Sequence, residues 1–174
     1  MKSRFQFEEW VPFPVEKVFL FFANPQNLPR IMPPEIGTNL VELRLVPPPA
    51  HTQVGQSNRL AGVTSEIVTS FRVFPFLPAR ANWIALVTEF EWNHHFADIQ
   101  KKGPFKSFHH RHEFAGEIRD GIQGTVVRDV IDCEVGFGPI GTLALKLFIA
   151  PQLRKTFQYR QQALPQLLRS SGTE

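Results

Sequence analysis

FKSFHHRHEFAGEIRDGIQGTVVRDVIDCEV, residues 105–135, decides how the rest of the chain is read. Side chains alternate with period two over 105–118 and again over 125–135. The RDGIQG run between them supplies the Asp and Gly that a reversal needs. The spacing predicts an antiparallel hairpin. Phe108, His110, His112 and Phe114 share one face, which the two phenylalanines mark as inward, while His109, Arg111 and Glu113 face the other way. Matching inward faces sets Phe114 beside Val127, His112 beside Asp129 and His110 beside Ile131; a slip of one residue would turn every side chain over.

Working outward, the same alternation predicts strands over 5–11, 40–46, 56–73, 80–92 and 96–101. Gly62 is read as a bulge or bend, 47–49 (PPP) as a rigid exposed connection, and FPFLPA (74–79) as a turn. After the first strand, Pro14 opens a helix whose Val15, Val18, Phe19 and Phe22 fall at i, i+3, i+4, i+7, and NPQNLPRIM (24–32) forms a second short one before Pro33 and Pro34. Beyond GFGPIG the chain turns helical to its end. Leu143, Ala150, Phe157 and Leu164, with Leu147, Leu153 and Leu167, form its apolar stripe, and a kink is expected at Pro151. Hairpin-length connections imply a meander, with helices as the only cover for its concave face. The expected fold is α+β: a seven-stranded curved antiparallel sheet, two short helices after the first strand, and a long C-terminal helix.

A length of 174 residues suits a single domain, 1–174, with a core large enough to need no cross-link. Cys133 is the only cysteine, which excludes an internal disulfide and a thiolate metal cluster and agrees with a reducing compartment. The opening MKSRFQFEEW has acids where a secretory signal needs an apolar run, and no segment approaches the ~18 apolar residues of a membrane span. A soluble, cytoplasmic protein without stable membrane insertion is expected. The net charge of +3 is spread among acids and glutamines and forms no stripe, so nucleic acid is not an expected partner. Seventeen Phe against one Tyr make an interior with large apolar faces and few hydroxyls, suited to apolar or ring-bearing ligands.

The predicted wall of that interior is aromatic, with His110, His112, Asp98, Gln100, Asp129 and Glu89 as its polar groups. Three uses stay open: a satisfied structural network, recognition of a ligand's polar end, or acid–base catalysis by His112 beside Asp129. His-x-His on a strand also sets two imidazoles side by side as metal sites do, with Asp129, Asp98 or Glu89 as further ligands. Surrounding phenylalanines leave those carboxylates without obvious supporting partners, so no metal and no other cofactor is expected. His94 and His95 are read as surface residues at a strand turn, and Cys133 as a core filler. No phosphate loop or serine elbow occurs. On 80–92, Trp83, Ala85 and Val87 are read as one face. Ile84, Leu86, Phe90 and Trp92 form the other, a surface for a partner or for a homodimer.

The segments WVPFPVEKVFLFFANPQNLPRIMPP, HHFADIQKKGPFKSFHHRHEF, GTVVRDVIDCEVGFGPIG and LRKTFQYRQQAL closely resemble the START/polyketide-cyclase (SRPBCC) superfamily, and within it the bacterial ligand-binding proteins of cyclase/dehydrase type. The resemblance implies a helix-grip fold with a cavity between sheet and C-terminal helix for a lipid, quinone or polyketide-like molecule. It implies binding or carriage more than catalysis. The positions matching the family's sheet motif are Phe96, Asp98, Gln100, Gly103, Pro104, His110, His112, Phe114 and Asp129. Met32, Trp83, Phe108 and Phe157 complete the expected lining. Cys133, where relatives often carry an aromatic, and a lengthened FPFLPARANW turn depart from the pattern.

Overall fold

A computed structural model describes residues 2–51, 58–72 and 79–170. The order is β1 (Lys2–Val11), α1 (Val15–Ala23), 3-10 helices at Pro25–Ile31 and Pro34–Ile36, then β2 (Asn39–Arg44), β3 (Glu66–Arg72), β4 (Arg80–Glu91), β5 (His95–Lys102), β6 (Ser107–Arg119) and β7 (Ile122–Glu134). The helical segment follows as α2 (Gly138–Ala144), a π-helical turn at Leu145–Ile149 and α3 (Ala150–Ser170). All seven strands form one antiparallel sheet in the order β1-β7-β6-β5-β4-β3-β2. The β6–β7 register sets Phe114 against Val127, His112 against Asp129 and His110 against Ile131, as face matching predicts. Its turn is tighter than 119–124: Asp120 and Gly121 alone span it, both at positive φ, the two-residue geometry that Asp-Gly favours.

Phe19 is fully buried at the centre of the main core, where α1 lies against β4, β5 and β6. Phe90, Trp92, Phe96 and Phe114 surround it. Asn24 accepts a hydrogen bond from the Gln26 amide (3.1 Å) and starts the following turn, which is 3-10 because two of its seven residues are proline. A second core cluster joins Phe157, Leu145, Leu153 and Ile149 to Phe5, Phe7, Ile131 and Cys133, docking the C-terminal helix on the β1–β7 end of the sheet.

Four expectations change. The third strand begins at Glu66, eight residues after the described chain resumes; residues 56, 57 and 73 of the expected strand, and 74–78 of the expected turn, lie outside the described residues. Gly62 sits in no strand: a Cβ there would stand 2.7 Å from the Pro48 backbone, and Pro48 is itself buried rather than exposed. Gly62→Ala is therefore expected to cost about 1–3 kcal/mol by overpacking, measurable as a lowered urea midpoint.

In β4, the register shifts between Val87 and Glu89. That bulge turns Phe90 and Trp92 inward onto Phe19, on the same side as Trp83 and Val87. The outer face keeps only Ile84 and Leu86, half-buried, so the expected partner surface loses its two aromatics. The fourth change concerns Pro151. The continuous α-helical winding expected there gives way just before the proline to a π turn, in which the Ala150 amide reaches the Leu145 carbonyl. That wider turn accommodates a residue that lacks an N–H and crowds the carbonyl four back. One extra residue rotates what precedes it, so Gly141 and Leu145 face inward while Leu143 and Leu147 are exposed, together with Phe137, Ile140 and Phe148.

Candidate functional site

The site is a row of side chains across the concave face, from Asp98 on β5 through His110 and His112 on β6 to Asp129 on β7. Asp98 pairs with His110 across one ladder and His112 with Asp129 across the next, so alternation alone aims all four at the helical layer. The imidazoles lie 3.9 Å apart between centroids. His110 Nε2 is 2.8 Å from Asp129 Oδ1 and hydrogen-bonded to it. His112 Nδ1 approaches the same oxygen to 2.7 Å, but out of line for a hydrogen bond, and this buried nitrogen has no hydrogen-bond partner among the described residues.

Asp129 is fully buried and is held from behind by Arg160 of α3, whose Nη2 bonds Oδ2. The same guanidinium donates from Nε to Glu9 Oε1 on β1 (2.6 Å) and lies against the rings of Phe157 and Phe22. Arg160 is 4% exposed and Glu9 8%, so an Arg between two carboxylates ties β1, β7 and α3 together out of water. Burial alone would push the Asp129 carboxyl up; Arg160 and the two imidazoles overcome it and hold the group well below the usual carboxylate range. Burial pushes Glu9 up despite Arg160, with Asp129 adding to the rise. Burial likewise pushes Asp98 up, against the pull of His110 and His109. His112 is pushed down to about 4, mainly by burial and also by His110.

A histidine that stays neutral when folded binds fewer protons than it does unfolded, so its contribution to stability is lost as pH falls from about 6.5 toward 4. Wild-type protein should lose up to about 1.4 kcal/mol per pH unit more over that window than His112→Asn. Urea titrations at intervals across it measure the difference; parallel slopes would refute it.

Of the other expected lining residues, Trp83 packs edge-on against Phe108 (4.7 Å between centroids) and Phe105 (5.8 Å), and Phe96 lies 4.5 Å from the His112 ring. Trp83, Phe96, Phe105 and Phe108 are half-buried, as is Met32 at the end of the first 3-10 helix. Phe114 belongs to the core around Phe19, and Phe157 is buried, stacked on Phe7 at 4.0 Å. Two residues do not join the row. Glu89 follows the bulge to the outer face, where it pairs with Arg111, His95 and His109. The Gln100 amide is spent on the β5–β6 connection, bonding the Phe105 carbonyl (2.7 Å) and amide (3.1 Å). His94 is exposed, and His95 pairs with Glu89 and Glu91 on the outer face. Cys133 is buried in the second core cluster.

Sequence reading missed Glu9 and Arg160. The signal was present: Glu9 alternates with Phe5, Phe7 and Val11, and Arg160 falls between Phe157 and Leu164 on the buried stripe, so each is a charge at an inward position. Two depressions lined by described residues lie away from the row. One, of about 340 Å³, lies around Arg111, Glu113 and Arg128 on the outer face; the other, of about 380 Å³, lies between the start of β1 and the π turn. The concave face still admits solvent, since the His110 and His112 side chains keep 16% and 12% exposure.

No model of a known protein family matches the chain, and no curated protein matches its sequence. Solved structures do match. A protein from Thermus thermophilus, TTHA0849, is 14% identical with a TM-score of 0.64, over 98% of this chain and 100% of that one. A START superfamily protein from Mycobacterium smegmatis is 13% identical with a TM-score of 0.61, over 96% and 97%. The chain has the START-like helix-grip fold. Norcoclaurine synthase from Thalictrum flavum, in complex with dopamine and hydroxybenzaldehyde, shares this START-like fold at 11% identity and a TM-score of 0.63, over 100% of this chain and 90% of that one. Among the described residues of the START-like chain, no helix is long and apolar enough to cross a membrane.

Proposed function

We propose that the chain binds or carries a small, largely apolar molecule on the concave face of its sheet, with one polar end against His110, His112 and Asp98. The observation that carries this reading is the contrast along one surface. The half-exposed rings of Trp83, Phe96, Phe105 and Phe108 stand beside two solvent-reached imidazoles, while the carboxylate behind them is sealed. Large apolar faces with a few convergent polar groups are what such ligands need. The bound aromatic molecules of norcoclaurine synthase lend the reading support from a protein of the same fold. A lipid, quinone or polyketide-like compound is the ligand class in view.

Catalysis by His112 as general base finds less support. A base whose conjugate acid has a pKa of about 4 draws protons weakly near neutrality, and its contact with Asp129 is out of line. Displacement of an environment-sensitive apolar dye tests the binding reading. Trp83→Ala together with Phe108→Ala should weaken uptake about tenfold or more if these rings line the site. Uptake that is absent in wild type, or unchanged in the double variant, would refute it.

A further inference from the structure

One ring nitrogen each from His110 and His112 and a carboxylate oxygen of Asp98 lie within 4.8 Å of one another. Three ligands each ~2.1 Å from a common ion stand about 3 to 3.5 Å apart, so small side-chain rotations close the set. What separates this trio from a chance cluster is the carboxylate behind it. Asp129 presents Oδ1 to a ring nitrogen of each imidazole, at 2.8 and 2.7 Å. Arg160 donates to the other oxygen of that carboxylate, which leaves Oδ1 to accept from His110 Nε2, and the second nitrogen of His110 then carries the lone pair. A carboxylate that orients a histidine from behind fixes the tautomer and raises the basicity of the nitrogen offered to a metal. For Asp129 the expected lack of a supporting partner does not hold: Arg160, unseen in the alternation of β6, bonds it and is itself bonded to Glu9.

We infer that Asp98, His110 and His112 form a binding site for one divalent transition-metal ion of the zinc or cobalt kind, with Asp129 orienting the His110 imidazole. Two neutral imidazoles and one carboxylate leave coordination positions open, and the half-exposed side of the row is where a water or a ligand's oxygen would complete them. The site stands whether or not the neighbouring rings hold an apolar molecule.

The test uses the full chain, stripped with a chelator and titrated with Zn²⁺ by calorimetry and with Co²⁺ by its visible absorption. One ion per chain is expected, with the intense bands of a low-symmetry cobalt site. Asp98→Asn and His110→Gln should each weaken binding about tenfold or more, and Asp129→Asn, which touches no ion, by about 10–100-fold. His94→Gln, at an exposed turn away from the row, should leave binding unchanged. Circular dichroism confirms that each variant folds, and Asp98→Asn, outside the Arg160 network, decides if Asp129→Asn does not. No stoichiometric ion, full affinity in His110→Gln, or equal loss in His94→Gln overturns the site. Dye displacement on the metal-free protein reports the apolar reading separately.

Discussion

Arg160→Met is expected to destabilise the protein by about 3–5 kcal/mol, the cost of leaving two carboxylates buried without their counter-charge. Arg160 spans from the Nε bond to Glu9 to the Nη2 bond to Asp129, and both acids are nearly or wholly removed from water. Methionine fills comparable space against Phe157 and Phe22, so the loss comes from charge rather than from a cavity. Urea denaturation of wild type and variant at pH 7 measures it. Adding Glu9→Gln and Asp129→Asn should recover part of the loss, because neutral amides do not require a guanidinium between them. A single variant within about 1 kcal/mol of wild type would mean that the triad is solvated in a way its burial contradicts. Arg160→Lys should fall near the methionine variant, since an ammonium cannot address two carboxylates with a planar fork.

Phe19→Ala is expected to cost about 3–5 kcal/mol as well, by a different route. The ring is fully buried and lies 5.2–6.0 Å from the rings of Phe114, Phe90, Trp92 and Phe96, three of them edge-on. These partners sit on or directly beside β4, β5 and β6, whose paired backbones cannot collapse into the space, so the loss should lie toward the upper part of that range. Phe19→Leu should cost much less, since it keeps most of the volume. The urea midpoint of each variant, at unchanged slope, separates the two. Phe96 also touches the His112 ring at 4.5 Å, so the alanine variant should loosen the concave row as well as the core.

The β6–β7 pairing was legible from residues alone because both strands have one buried face. Phe108, Phe114, Val127 and Ile131 share a side only in registers an even number of residues apart, and the Asp-Gly turn fits the one in which His112 meets Asp129. The β4 faces were not legible, because a bulge is one unpaired residue with no composition of its own, and it moved Glu89 out and Phe90 and Trp92 in. Gln100 could be placed on its face but not assigned its use, since its bonds to Phe105 depend on how the turn closes. Glu9 and Arg160 come from chain ends 151 residues apart, a separation that no local period connects. Their inward positions were readable; their meeting was not.

The wide turn at Leu145–Ile149 makes the spacing of the last segment depend on a single residue. Deleting one residue there would restore ordinary helical winding and swing everything before it by about 100° around the axis. Leu143 and Leu147 would rotate inward, and Gly141, which fits only because it has no side chain beside the Gly136 carbonyl, would lose its place. The outward placement of Leu143 and Leu147 thus follows from the one additional residue that the wide turn accommodates.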